Sequence, residues 1–177
     1  MIKKTDRDYI IWQNRALDFY VSARTCHRFC IYKPAAYLAN QSLELIIKAT
    51  LIYWDKSFNP IEANHSINKM LKILSNKVPG QKSFSIPNYF YTDGIYQSIS
   101  RYPGKKRVIS IPPSFVDDLD ECFVRLLCMV SFQFNSKLSH VFSGKYPEIY
   151  GEIFFSNKQI SRIKEVVNGN YAHAAED

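Results

Sequence analysis

Glycine is scarce in this chain, with 6 in 177 residues, and none of the six belongs to a closely spaced cluster of the kind that cradles a phosphate. The Gly-x-Ser-x-Gly turn of a hydrolase and the His-Glu-x-x-His helix of a metalloprotease are also missing, and no pair of carboxylates stands at a readable catalytic spacing. Those absences disfavour the common hydrolase architectures. Cysteine is limited to Cys26, Cys30, Cys122 and Cys128, without a Cys-x-x-Cys pair, so the expectation is four buried small hydrophobes. Cys26, His27 and Cys30 share part of one helix face, but a structural zinc takes four ligands and no second pair is at hand. No metal and no other cofactor is expected. The longest apolar run, Pro34 to Trp54, is broken by Glu44 and Lys48 and falls short of the roughly 18 to 20 uncharged residues of a membrane span. The opening MIKKTDRDYIIWQN holds acidic residues and no small-residue cleavage site, unlike a signal peptide. A cytoplasmic chain without a membrane partner is expected.

What remains is hydrophobic, aromatic and basic. A 46% apolar composition over 177 residues suits one well-buried domain spanning 1–177, with a core over about 6–133 and an extension over about 135–177. The net charge of +7 favours anionic partners without identifying one. Twelve Tyr and twelve Phe supply core, with some available for base stacking.

The apolar spacing predicts helices throughout. Tyr9, Trp12, Ala16, Phe19, Tyr20, Ala23 and Cys26 alternate by threes and fours, giving a first helix from Asp6 to about Phe29. Tyr32 and Lys33 form a short break, and Pro34 suits the first turn of a second helix reaching Trp54. So short a connection predicts an antiparallel hairpin, with Leu43, Ile46 and Ile47 buried. Ile67, Met70, Leu71 and Leu74 mark a third helix capped near Asn64 or Ser66. A fourth is expected from about Asn88 to Ser100, ending at Arg101-Tyr102-Pro103-Gly104. Ser114 and Asp117 resemble a capping box ahead of a fifth helix through Val130, and a last helix is expected from Ser156. The fold class is all-α, an up-and-down bundle of about five to six helices.

The second helix carries Gln41, Glu44 and Lys48 at spacings of three and four, which puts three polar groups on one face of an otherwise apolar surface. A charge there is costly unless paired, so Glu44 needs a cation, with Lys48 or Arg101 the candidates. The stripe is either an internal pair or the wall of a polar cleft.

The order of segments, a helix ending in Ser22-Ala23-Arg24, then AAYLANQSLELIIKATL, then HSINKMLKIL from His65, then Ser100-Arg101-Tyr102-Pro103, resembles the HEPN family (higher eukaryotes and prokaryotes nucleotide-binding) over roughly residues 10 to 130. Each motif alone is short, and their order and spacing carry the resemblance. It implies a helical bundle, a homodimer with a cleft between subunits, and RNA, a nucleotide or a protein of nucleotidyltransferase type as partner. A prokaryotic defence or toxin–antitoxin setting rests on the same analogy. Many members are metal-independent ribonucleases whose signature is Arg, four to six residues, then His, which sets a cation for the phosphate beside a proton carrier. None of the eight arginines here has a histidine at that distance. The expectation is therefore a module that binds without cleaving.

Candidate phosphate contacts are Arg101, Tyr102, Lys105, Lys106 and Arg107, the densest basic cluster in the chain, with an aromatic interleaved. Arg24 could line the same cleft, although a surface helix arginine is the simpler expectation. If the protein does cleave RNA, Arg101 and His65 are the catalytic candidates, His65 otherwise serving as a cap or packing residue. His140 and His173 have no evident partner in the sequence.

Overall fold

A computed structural model of the chain describes residues 5–63, 65–78, 84–90, 111–130 and 161. Within them lie α1 (Thr5–Arg28), α2 (Tyr32–Trp54), α3 (Ile67–Lys77), a 3₁₀ turn (Asn88–Phe90) and α4 (Phe115–Cys128), with no strand among the described residues. The all-α bundle expected from the sequence is the observed fold class. The expected continuation of the fourth helix to Ser100 and the helix from Ser156 fall outside the described residues apart from Asn88–Phe90 and residue 161.

α1 and α2 form the antiparallel hairpin that the short break predicts. Tyr9 meets Tyr53 edge-on at 5.3 Å and Trp12 lies under the Lys48 ammonium at 5.2 Å, so residue numbers rise along one helix as they fall along the other. Ala16 and Ala23 of α1 and Ala36 and Ala39 of α2 are buried between them, small side chains that let two helices approach closely. Leu43, Ile46 and Ile47 are fully buried, as expected. Leaving aside smaller groups, each such aliphatic side chain contributes about 1.5 to 3 kcal/mol on leaving water.

The turn between these helices is a Schellman motif. The Ile31 amide donates to the Cys26 carbonyl at 2.8 Å and the Cys30 amide to the His27 carbonyl at 2.9 Å, closing α1. The left-handed position this motif requires is filled by Cys30, at φ 58°, where glycine is the usual occupant. A side chain there costs about 1 to 2 kcal/mol. Because α1 closes so abruptly, α2 begins at Tyr32, two residues earlier than expected, and Pro34 still falls in its first turn, where the missing amide proton breaks no helical hydrogen bond.

α2 is buried along nearly its whole length because it packs against α1, α3, α4 and the 3₁₀ turn. α3 starts at Ser66, whose hydroxyl accepts from the Lys69 amide at 3.3 Å, and it buries Ile67, Met70 and Leu74. α4 runs antiparallel to α1: His27 stacks near Phe115 at 5.8 Å, while about two turns further along Tyr20 stacks on Phe123 at 4.2 Å. The expected Ser114–Asp117 capping box does not form. Ser114 is already in the helical region, with no hydrogen bond from its side chain to the helix, and the turn is closed instead by the Phe115 amide on the Pro112 carbonyl at 3.0 Å. Asp117 and Asp118 still oppose the positive end of the helix dipole there.

Candidate functional site

Two clusters of polar side chains penetrate this apolar bundle. The first is built on α2. Glu44 and Lys48 stand one turn apart and are both almost fully buried, and the Lys48 ammonium donates to Glu44 Oε1 at 2.8 Å. The expected cation for Glu44 is thus Lys48. The Trp12 ring covers the same ammonium, replacing part of its lost hydration by a cation–π contact. His65, in the turn just before α3, brings Nδ1 to 2.9 Å from the same Glu44 oxygen. A carboxylate oxygen that accepts from Lys48 favours the His65 tautomer that donates from Nδ1. The His65 side chain is 63% exposed while that of Glu44 is 2% exposed, so the pair runs from the core to the surface.

Three buried polar groups have no hydrogen-bond partner among the described residues: Glu44 Oε2, Asn14 Oδ1 and the whole side-chain amide of Gln13, which is fully buried. The Trp12–Lys48 contact sets Gln13 at the level of Lys48 along the α1–α2 pair. An unsatisfied buried polar group costs about 1 to 3 kcal/mol, so a layer of this kind calls for a reason. Gln41, the third member of the predicted stripe, turns elsewhere. Its amide donates to Asn40 Oδ1 at 3.3 Å, and Asn40 in turn donates to the Phe90 carbonyl.

The second cluster joins α1 to α4. Arg24 pairs with Asp120, and the Tyr20 hydroxyl donates to the other Asp120 oxygen at 2.8 Å. Arg24 is buried, contrary to the expected surface position, because it lies one turn from Tyr20, which packs on Phe123 of α4, and so falls in the same interface. A phosphate could reach it only by displacing Asp120. Burial pushes the Asp120 carboxyl up to about 6, against the opposing pull of Arg24 and Tyr20. His27, at the same end of α1, is pushed down by burial and then by the Arg24 charge, which favours its neutral ring between Tyr32 and Phe115.

Arg101, Tyr102, Lys105, Lys106, Arg107, His140 and His173 lie outside the described residues. The cysteines depart from expectation in part: Cys122 is buried, with its thiol pushed up to about 12 chiefly by burial, but Cys26 and Cys128 are half-buried and Cys30 is exposed. No group of His, Cys, Asp or Glu among the described residues is arranged to hold a metal ion. No helix among them is long and apolar enough to cross a membrane.

The helical hairpin, the buried second helix with its Glu44–Lys48 pair and the capped third helix together define an all-α bundle. The family model described as HEPN domain matches residues 9–108, and the chain belongs to this family. No curated protein and no solved structure gives a match. Membership places the protein among nucleotide-binding or ribonuclease-type modules.

Proposed function

We propose that this HEPN domain binds RNA or a nucleotide through its basic segment and does not cleave it. The observation that carries the proposal is the cluster Arg101, Lys105, Lys106 and Arg107, with Tyr102, falling inside the family match at 9–108, in a chain of net charge +7 that lacks the Arg-to-His spacing of the family's nucleases. Clustered cations release counterions from phosphates, so affinity falls as salt rises. A homodimer fits the same picture, as does service in a prokaryotic defence or toxin–antitoxin system beside a nucleotidyltransferase-type or other protein partner.

Electrophoretic mobility shift with RNA tests it. The wild type should bind with a negative salt slope, and Lys105→Ala, Lys106→Ala and Arg107→Ala together should weaken binding at least tenfold without any cleavage. Absence of binding to RNA, DNA and nucleotides alike would point to a protein-interaction role instead.

One observation favours a second reading, a metal-independent ribonuclease. Glu44 meets His65 at Nδ1 while most of the His65 side chain is exposed, an arrangement that orients an imidazole for proton transfer. On this reading Arg101 would steady the phosphate while His65 moves the proton. Purified protein would then cleave RNA in the presence of chelator, and both Arg101→Ala and His65→Ala would abolish the activity.

A further inference from the structure

Six large hydrophobic side chains are exposed among the described residues, and three of them fall within four positions at the α1–α2 turn: Phe29 at 65%, Ile31 at 49% and Tyr32 at 47%. The others, Ile11, Trp54 and Ile61, are scattered singly, which is ordinary for a protein surface. A cluster at one tip is not, since contiguous exposed apolar surface marks an interaction site.

The tip is also held rigid. The two Schellman hydrogen bonds close it and Cys30 occupies the left-handed position without being glycine. His27 packs edge-on against the Tyr32 ring at 5.4 Å. Strain kept at an exposed turn points to function, and a rigid apolar tip loses little conformational freedom on docking.

The charge flanking it along the sequence has one sign. No Asp or Glu occurs between Asp18 and Glu44, whereas Arg28 and Lys33 flank the three apolar residues directly and both are exposed. Arg24, the remaining cation of that stretch, is occupied by Asp120. Among the described residues, acids come near through the first turn of α4, whose Phe115 packs on His27; there Asp118 accepts from the Tyr89 hydroxyl.

We propose that the α1–α2 turn docks on an anionic lipid bilayer, inserting Phe29, Ile31 and Tyr32 into the headgroup–acyl boundary while Arg28 and Lys33 meet lipid phosphates. Aromatic and aliphatic side chains together at a convex tip, with cations on either side, match the two-sided chemistry of that boundary. Base stacking would use the two rings and leave Ile31 without a role. Docking of this kind needs no membrane-spanning helix. It is weak and reversible, because a few apolar side chains hold a protein on a bilayer no better than a single acyl chain does.

Sedimentation of the full chain with vesicles tests this. The wild type should bind phosphatidylcholine vesicles containing phosphatidylserine, and not phosphatidylcholine alone, with binding lost at high salt. Phe29→Ser, Ile31→Ser and Tyr32→Ser combined should reduce partitioning about tenfold or more, and Arg28→Ala should reduce it about fivefold. Circular dichroism and the RNA mobility shift, both unchanged in these variants, keep this result separate from the nucleic-acid proposal. Should the triple variant not fold, Phe29→Trp supplies an independent readout, a blue shift with anionic vesicles and quenching by brominated acyl chains. The proposal is overturned if wild type ignores anionic vesicles, if the triple variant binds them as well as wild type, or if Phe29→Trp shows no shift. Loss of RNA binding or of self-association in the tip variants, with vesicle binding intact, overturns it equally.

Discussion

The two polar clusters are built from the same kinds of residues and end in opposite conditions. Arg24 and Asp120 are closed on all sides, and Tyr20 supplies a donor to the second carboxylate oxygen. Glu44 and Lys48 are almost as deeply buried, yet one carboxylate oxygen takes two donors while the other has none among the described residues, and the cluster reaches solvent through His65. The first has the form of an interhelical clasp, each group satisfied by another. The second is open at its edge, and that is the form in which a carboxylate can position an imidazole for work outside the core.

Breaking the clasp should have the largest effect. Arg24→Met leaves Asp120 buried beside a neutral side chain, and stability should fall by about 3 to 5 kcal/mol, read as a lower midpoint in urea. Arg24→Met combined with Asp120→Leu should recover most of that loss. If the double variant is no better than the single, the pair serves more than mutual neutralisation.

A pH series sharpens the same contrast. The folded-state pKa of Asp120 lies near 6, above its ordinary value of 3.8, so the native state holds this proton more tightly than the unfolded chain does. The stability arising from this group is fully present below about pH 4 and is lost as pH rises through 6, a change on the order of 3 kcal/mol. Subtracting the stability of Asp120→Asn from that of wild type across this window should expose the decline. A flat difference would mean that Arg24 keeps Asp120 ionised throughout.

Glu44→Ala comes next. It strands Lys48 under the Trp12 ring, and the loss should be about 2 to 3 kcal/mol, or roughly 5 to 10 °C in melting temperature for a chain of this size. A variant that melts with the wild type would show this face to be solvated. His65→Ala should be the mildest of the four, below about 1 kcal/mol in stability because the ring is largely exposed, while still removing any cleavage activity. A large stability loss with no functional change would make His65 a packing residue and the two clusters equivalent.

Much of the fold was legible because helical periodicity is strong in the segments that build it: the hairpin and the buried face of α2 follow from apolar spacing, and capping chemistry narrowed the start of α3 to Asn64 or Ser66, of which Ser66 is the cap. The Glu44–Lys48 pair was legible for the same local reason, being one turn apart. Contacts that depend on tertiary pairing were not. Nothing near Arg24 signals Asp120, which is 96 positions away, and an arginine among aromatics and alanines looks like a surface residue until α4 is placed against it. The one hint was Asp120 itself, an acid standing next to Leu119 within the apolar spacing of α4. Gln13 and Asn40 were overlooked because a single amide in a helix gives no periodic signal. The Ser114 cap failed because two prolines set the backbone ahead of it, and local turn geometry overrode the side-chain preference.

The burial of α2 on almost every side also bears on the order in which the chain assembles. Its contacts with α1 close over a turn of three residues, so they cost little loop entropy and can form early. Those of α4 wait for Asp120 to find a helix nearly a hundred residues upstream. Folding should therefore pass through a helical hairpin to which the distal helix docks late, and the amide protons at the middle of α2 should be the last in the molecule to exchange with solvent.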